Sequence, residues 1–115
     1  MTQIQASATF PSIAPEHAAE FRGLAAQLLE SARSEPGTLQ YDWFFTADGT
    51  ACLVRETYRD SDAVLAHLAA AGAQLGRLVE CGGGVHLDVL GEPSSALREA
   101  LAALSPVVYT YAHGK

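Results

Sequence analysis

The side chains able to do chemistry gather in one stretch of this sequence: Tyr41, Trp43, Arg55, Glu56, Tyr58 and His67. An imidazole such as that of His67 can take a phenolic proton from an electron-rich aromatic molecule, and a deprotonated molecule of that kind can itself reduce dioxygen. Tyr41, Trp43 and Tyr58 offer flat faces on which an aromatic or apolar ligand can stack. Each also has a plainer role open to it. His67 can be a partly buried histidine satisfied by a neighbour, and Tyr41 and Trp43 can belong to a core or a dimer interface. Arg55 and Glu56 are adjacent in an alternating segment, so they point to opposite faces. An inward Glu56 needs a partner or a raised pKa, and its first reading is structural, tying its strand to the N-terminal strand or to a partner chain.

Other site types find little support. Gly82-Gly83-Gly84-Val85 lacks the lysine of a phosphate loop and the spacing of a dinucleotide fingerprint, and reads as a turn. His17, His67, His86 and His113 show no close spacing with Cys52 or Cys81 of the kind metal sites use, which leaves only clusters assembled by folding. Cys81 has neither a nearby base nor a positive helix start in sequence and reads as a passive thiol. No Gly-x-Ser-x-Gly element is present for an acyl-transfer serine.

The elements that must position the reactive set are legible from periodicity. From Thr38, Leu39, Tyr41, Trp43 and Phe45 alternate with Gln40, Asp42 and Phe44, the period of a strand. Ala47-Asp48-Gly49 supplies turn chemistry. Cys52, Val54, Glu56 and Tyr58 then alternate with Leu53, Arg55 and Thr57, completing a hairpin. Asp60-Ser61-Asp62 caps a helix whose apolar residues are Val64, Leu65, Leu68 and Ala71, with His67 at the edge of that stripe. Upstream, Ile4, Ala6, Ala8 and Phe10 form one face of a first strand, ended by Pro11. Pro15 opens a helix with a Phe21, Leu24, Ala25, Leu28 and Ala32 stripe, stopped by Pro36-Gly37. Downstream, a helix over 73–81, a strand over 85–90, a helix over about 95–104 and a final strand over 107–111 are predicted. Pro106 forbids continuation of that last helix. The order is β-α-β-β-α-β with an added helix and strand, an α+β fold with a ferredoxin-like split βαβ antiparallel sheet.

Composition bounds the partners. A chain of 115 residues suits one domain, 1–115. Charged residues are only 17% against 49% hydrophobic, so apolar surface is left needing cover. The helix-free face of such a sheet is the surface in question, and a homodimer would cover it, with the 107–111 strand placed along a partner's sheet edge. A net charge of −6 with dispersed basic residues argues against nucleic acid or an anionic membrane surface. No apolar run approaches the ~20 residues of a membrane span. No basic segment leads into an apolar one at the N-terminus, so no signal peptide is expected, and two cysteines make no disulfide framework. A reduced, cytoplasmic setting is the expectation.

Pro36-Gly37…Tyr41, Asp48-Gly49-Thr50-Ala51, Glu56 with Tyr58 two residues on, and Ala66-His67-Leu68 together resemble the antibiotic biosynthesis monooxygenase superfamily, over Ile4 to Leu90. That resemblance implies a dimeric α/β barrel. It also implies oxidation of a quinol-like or anthrone-like aromatic without metal, flavin or other cofactor. On this alignment His67 would be the catalytic base and Tyr41, Trp43 and Tyr58 the substrate-binding wall. The departures are specific. Where anthrone monooxygenases carry Asn, Trp and Tyr, this chain has Val54, Tyr58 and Val64. The haem-degrading branch is disfavoured, since its first-strand Asn is missing and the region from Gly76 to Val79 has no His. The alternative function is a non-catalytic homodimer that binds a small apolar molecule.

Overall fold

The computed structural model describes residues 2–115. Strand β1 (Ile4–Phe10) is followed by a 3-10 turn (Pro15–His17) and helix α1 (Ala18–Arg33), then by the hairpin β2 (Thr38–Phe45) and β3 (Cys52–Tyr58). Helices α2 (Ser61–Ala71) and α3 (Ala73–Cys81) lead to β4 (His86–Leu90), α4 (Ser95–Leu101), a second 3-10 turn (Ala102–Leu104) and β5 (Val107–Tyr109). The five strands form one sheet in the order β2-β3-β1-β4-β5. All pairings are antiparallel except β4 with β5. The first four strands are the ferredoxin-like sheet predicted from the element order.

Local chemistry explains the element ends. The Asp60 side chain accepts from the Ala63 N–H at 2.9 Å and caps α2, and Ser94 does the same for α4 through the Leu97 N–H at 3.1 Å. In the hairpin loop the Asp48 carboxylate accepts from the hydroxyls of Thr46 and Thr50, each at 2.8 Å, and from the Thr50 N–H at 3.1 Å. Gly49 adopts φ +74° there, a backbone state open to glycine at no steric cost.

The sheet buries one face. Along β1, Ile4, Ala6, Ala8 and Phe10 are buried and the intervening residues only partly so. Phe21 and Leu28 of α1, Val64 of α2, Leu78 of α3 and Leu97 and Leu101 of α4 close over that face. On the other face Phe44 and Leu90 are exposed, as are Val107 and Tyr109 on the β5 edge strand.

Four expectations are corrected. A register shift between Thr38 and Gln40 puts Leu39 in a β-bulge, so Leu39 is 54% exposed instead of sharing the inner face with Tyr41, Trp43 and Phe45; one extra residue breaks the two-residue period. On α2 the buried residues are Ala63, Val64, His67 and Ala71, while Leu65 and Leu68 are half-buried. The helix is turned so that its first-turn Ala63 meets Gly37, where an added Cβ would lie 2.5 Å from the Ala63 Cβ. The last helix ends as α-helix at Leu101 and tightens to 3-10 over Ala102–Leu104. Finally, the strand predicted over 107–111 ends at Tyr109, and this β5 pairs with β4. The pairing is parallel, which needs a crossover of a dozen or more residues, and the segment carrying α4 supplies it.

Candidate functional site

Two rows of side chains run across the sheet and make the floor of an internal cavity. One row is Trp43, Val54, Ala8 and Leu87, and the other is Tyr41, Glu56, Ala6 and Val89. The central strand contributes only methyl groups to these rows. Ala6 and Ala8 therefore leave space that larger residues would fill, and the result is a cavity of about 60 Å³. Val64, His67 and Leu68 of α2, Leu75, Leu78 and Val79 of α3, and Leu97 and Leu101 of α4 roof it. Leu68, Leu75, Val79, Val85 and Leu104, which also line it, are half-buried.

The predicted residues come together here. His67, Tyr41, Trp43 and Tyr58 all line this cavity, as do Val54 and Val64, the positions at which the sequence departs from anthrone monooxygenases. His67 is 5% exposed. Its ring centroid lies 4.8 Å from that of Tyr41 and 5.5 Å from that of Tyr58, and Tyr41 stacks edge-on against Trp43 at 5.4 Å. The Trp43 Nε1–H is buried with no hydrogen-bond partner among the described residues, an unusual state for an indole.

Two carboxyl groups complete the set. Glu35 Oε1 lies 2.7 Å from His67 Nδ1 and also accepts from the Thr38 hydroxyl at 2.8 Å. With Glu35 ionised, Nδ1 is the protonated nitrogen and Nε2 of neutral His67 is left as acceptor. Glu35 reaches this place because the Pro36-Gly37 turn packs tightly on the start of α2: Gly37 has no Cβ to hold the chain away from Ala63, and the Gly37 carbonyl accepts from the Arg59 N–H at 2.9 Å. His67 is thus both the satisfied histidine of the plainer reading and a wall of the cavity.

Glu56 also lines the cavity, whereas its sequence neighbour Arg55 is exposed on the opposite face. The structural role first read for Glu56, a tie to the N-terminal strand or to a partner, gives way to a hydrogen bond accepted from the Tyr58 hydroxyl. Burial pushes the Glu56 carboxyl above its usual range, against the opposing effects of the Tyr58 hydrogen bond and of nearby His67. Burial also raises the phenols of Tyr41 and Tyr58, and Glu56 adds to both shifts. Both phenols therefore stay neutral, and that of Tyr58 donates to Glu56.

The sequence alone assigns Glu35 no role and Glu56 a structural one, and the partner that Glu56 finds, Tyr58, lies on its own strand. Alternation along β3 puts Glu56 inward, which is a usable signal. Nothing local marks Glu35, which finds His67 only through the tertiary fold.

Away from the cavity, His17, Glu20 and Cys81 have potential metal-ligating atoms within 4.8 Å of one another, the cluster of that kind found among the described residues. Their sequence spacing did not suggest it. The Glu20 carboxylate is already held by Arg77, through Nε and Nη2 at 2.6 Å each. Burial raises the Cys81 thiol, in keeping with a passive cysteine. Cys52 is likewise pushed up, to about 11, by burial. Among the described residues no helix is long and apolar enough to cross a membrane.

Comparison with known proteins bears on this geometry. The family profile described as antibiotic biosynthesis monooxygenase matches residues 5–75, more than half of the chain. Among solved structures, MupZ from Pseudomonas fluorescens is similar at 26% identity with a TM-score of 0.77, the alignment covering 99% of this chain and 93% of MupZ. PA3566 from Pseudomonas aeruginosa is similar at 27% identity and a TM-score of 0.67, covering 82% of this chain and 97% of that one. A Caulobacter crescentus protein assigned to the antibiotic biosynthesis monooxygenases is 27% identical at a TM-score of 0.65, covering 81% and 92%. Comparison with curated proteins returns no match.

Proposed function

Since the chain belongs to the antibiotic biosynthesis monooxygenase family, we propose that its cavity is the site of a cofactor-independent monooxygenase acting on a quinol-like or anthrone-like aromatic. The observation that carries this reading is the placement of His67, with its Nδ1 on Glu35, in one apolar cavity with Tyr41, Trp43 and Tyr58. Nε2 of His67 is then the base that removes the substrate's acidic proton, and the aromatic residues hold the ring. The resulting anion is electron-rich enough to reduce dioxygen directly. All of residues 1–115 are read as one domain, because α4 and β5 extend the same sheet and core.

The assembly belongs to the same proposal. The helix-free sheet face carries exposed Phe44 and Leu90, and a homodimer that packs this face against its copy removes that apolar surface from water. Two unbridged cysteines support a reducing, cytoplasmic setting.

One specific observation favours the second reading, a homodimer that binds a small apolar molecule without turning it over. Val54, Tyr58 and Val64 replace the polar and aromatic residues of anthrone monooxygenases on the cavity wall itself. Oxygen consumption with a panel of quinols and anthrones, followed at an electrode without added flavin, metal or haem, separates the two. Turnover above the buffer blank, reduced ~10²–10⁴-fold in His67→Ala, is the expected result. No turnover across the panel leaves the binding dimer, and turnover in His67→Ala equal to wild type removes His67 as the base.

A further inference from the structure

Removing one proton from a substrate needs one base, and the His67–Glu35 pair supplies it. The cavity holds more than that. Glu56 rises from the β3 floor while His67 enters from the α2 roof, and Tyr58 neighbours both, its ring 5.5 Å from the imidazole and its hydroxyl on Glu56 Oε1. Glu56 Oε2 makes no hydrogen bond among the described residues, so this oxygen is free for a ligand. A carboxyl placed in an apolar cavity carries a desolvation cost, and two titratable groups in different environments facing one space are the usual architecture of paired acid and base. The carboxyl beside His67 accepts a buried imidazole N–H; the one on the floor accepts a phenol and stands in largely apolar surroundings. These are different environments for different roles.

We propose that the cavity catalyses oxygen-independent proton transfer on an apolar carbonyl compound, with His67 Nε2 as base and Glu56 as acid, Glu35 orienting the imidazole and Tyr58 the carboxyl. It rests on the reading of this cavity as the reaction site, and adds an activity that does not use dioxygen. In the forward step Nε2 takes a proton from the carbon next to the carbonyl. The C–H electron pair becomes the new C=C bond, the carbonyl π pair moves to oxygen, and that oxygen receives the proton of Glu56. The product is an enol, and the protein is left with imidazolium beside Glu35 and a Glu56 carboxylate accepting from Tyr58. Return of a proton from His67 to carbon, and of the enol proton to Glu56, restores both groups. In heavy water the imidazolium Nε2–H exchanges for deuterium with solvent before the return step, so the cycle replaces the carbon-bound hydrogen by deuterium, with no oxidant consumed.

The probe is 2-tetralone, a benzylic ketone whose C1 CH₂ lies between the aromatic ring and the carbonyl, incubated anaerobically in D₂O with the full chain and followed at that CH₂ by proton NMR. The expected result is loss of the CH₂ signal faster than in buffer. That rate should fall ~10²–10⁴-fold in Glu56→Gln and in His67→Ala, with circular dichroism confirming that both variants are folded. Glu56→Gln keeps an acceptor for the Tyr58 hydroxyl, so it removes the acidic proton with little change of shape. Exchange at the buffer rate with wild type overturns the proposal, as does full exchange in folded Glu56→Gln. The outcome is separable from the monooxygenase reading. Anaerobic exchange without aerobic oxygen uptake on the quinol and anthrone panel supports this inference and removes that reading. Oxygen uptake that is indifferent to Glu56→Gln, with no exchange, does the reverse.

Discussion

Glu35 and His67, separated by 32 positions in the chain, meet at 2.7 Å between Oε1 and Nδ1. His67 is nearly fully buried, so this bond both stabilises the fold and decides which ring nitrogen faces the cavity. Glu35→Ala should lower unfolding stability by about 1–3 kcal/mol, the range for leaving a buried donor unsatisfied. It should also slow turnover, by a smaller factor than His67→Ala. Chemical denaturation checks the first effect and oxygen uptake per folded protein checks the second; a variant with unchanged stability contradicts the buried pairing.

Ala8 lies between Val54 and Leu87 in the row that floors the cavity. Ala8→Val adds two methyl groups where there is empty space, so it should be neutral or stabilising instead of incurring the ~1–3 kcal/mol of an overpacked core. The same change should weaken ligand binding at least tenfold, read as quenching of Trp43, the single tryptophan, by small quinols or anthrones. Unaltered affinity would mean that the ligand binds elsewhere.

Phe44 is 55% exposed on the helix-free sheet face. Wild type should run as a dimer by light scattering at micromolar concentration. Phe44→Asp should shift it to monomer, since a carboxylate buried at an apolar interface without a partner is strongly unfavourable. A wild-type monomer mass removes the dimeric arrangement from the account.

Glu56 gives the fold a pH dependence with a definite sign. Its folded-state pKa is raised, with burial as the main cause, so the folded state holds a proton that the unfolded chain releases near the ordinary carboxyl value of ~4.3. Its contribution to stability is fully present below that value and is lost as pH rises toward the folded pKa, at no more than about 1.4 kcal/mol per pH unit. Glu56→Gln, which cannot ionise, should therefore be more stable than wild type at pH 7 to 8, with the difference shrinking toward pH 4. Urea titrations at the two ends of this range test it, and a difference that grows on acidification would contradict the buried carboxyl.

Alternation and helical spacing, by themselves, determined the elements and the fold class. The β1 pattern, the hairpin, the Asp60 and Ser94 caps and the Pro-Gly stop are each local chemistry, and each is present where periodicity put it. Period-two alternation also determined that Tyr41, Trp43, Glu56 and Tyr58 share one side of the hairpin. Tertiary structure decided the rest, because it depends on contacts between distant segments. The bulge at Leu39 shifts the register by one residue, and such a shift is set by how β2 meets β3, not by the β2 sequence alone. The pairing of β5 with β4 depends on the path of the α4 crossover. The turn of α2 that buries His67 and half-exposes Leu65 and Leu68 depends on Gly37 meeting Ala63. The cavity arises where two alanines of the central strand face the roof helices, and the Glu35–His67 bond arises because the Pro36-Gly37 turn packs on α2. Neither is encoded in a motif; both are consequences of packing.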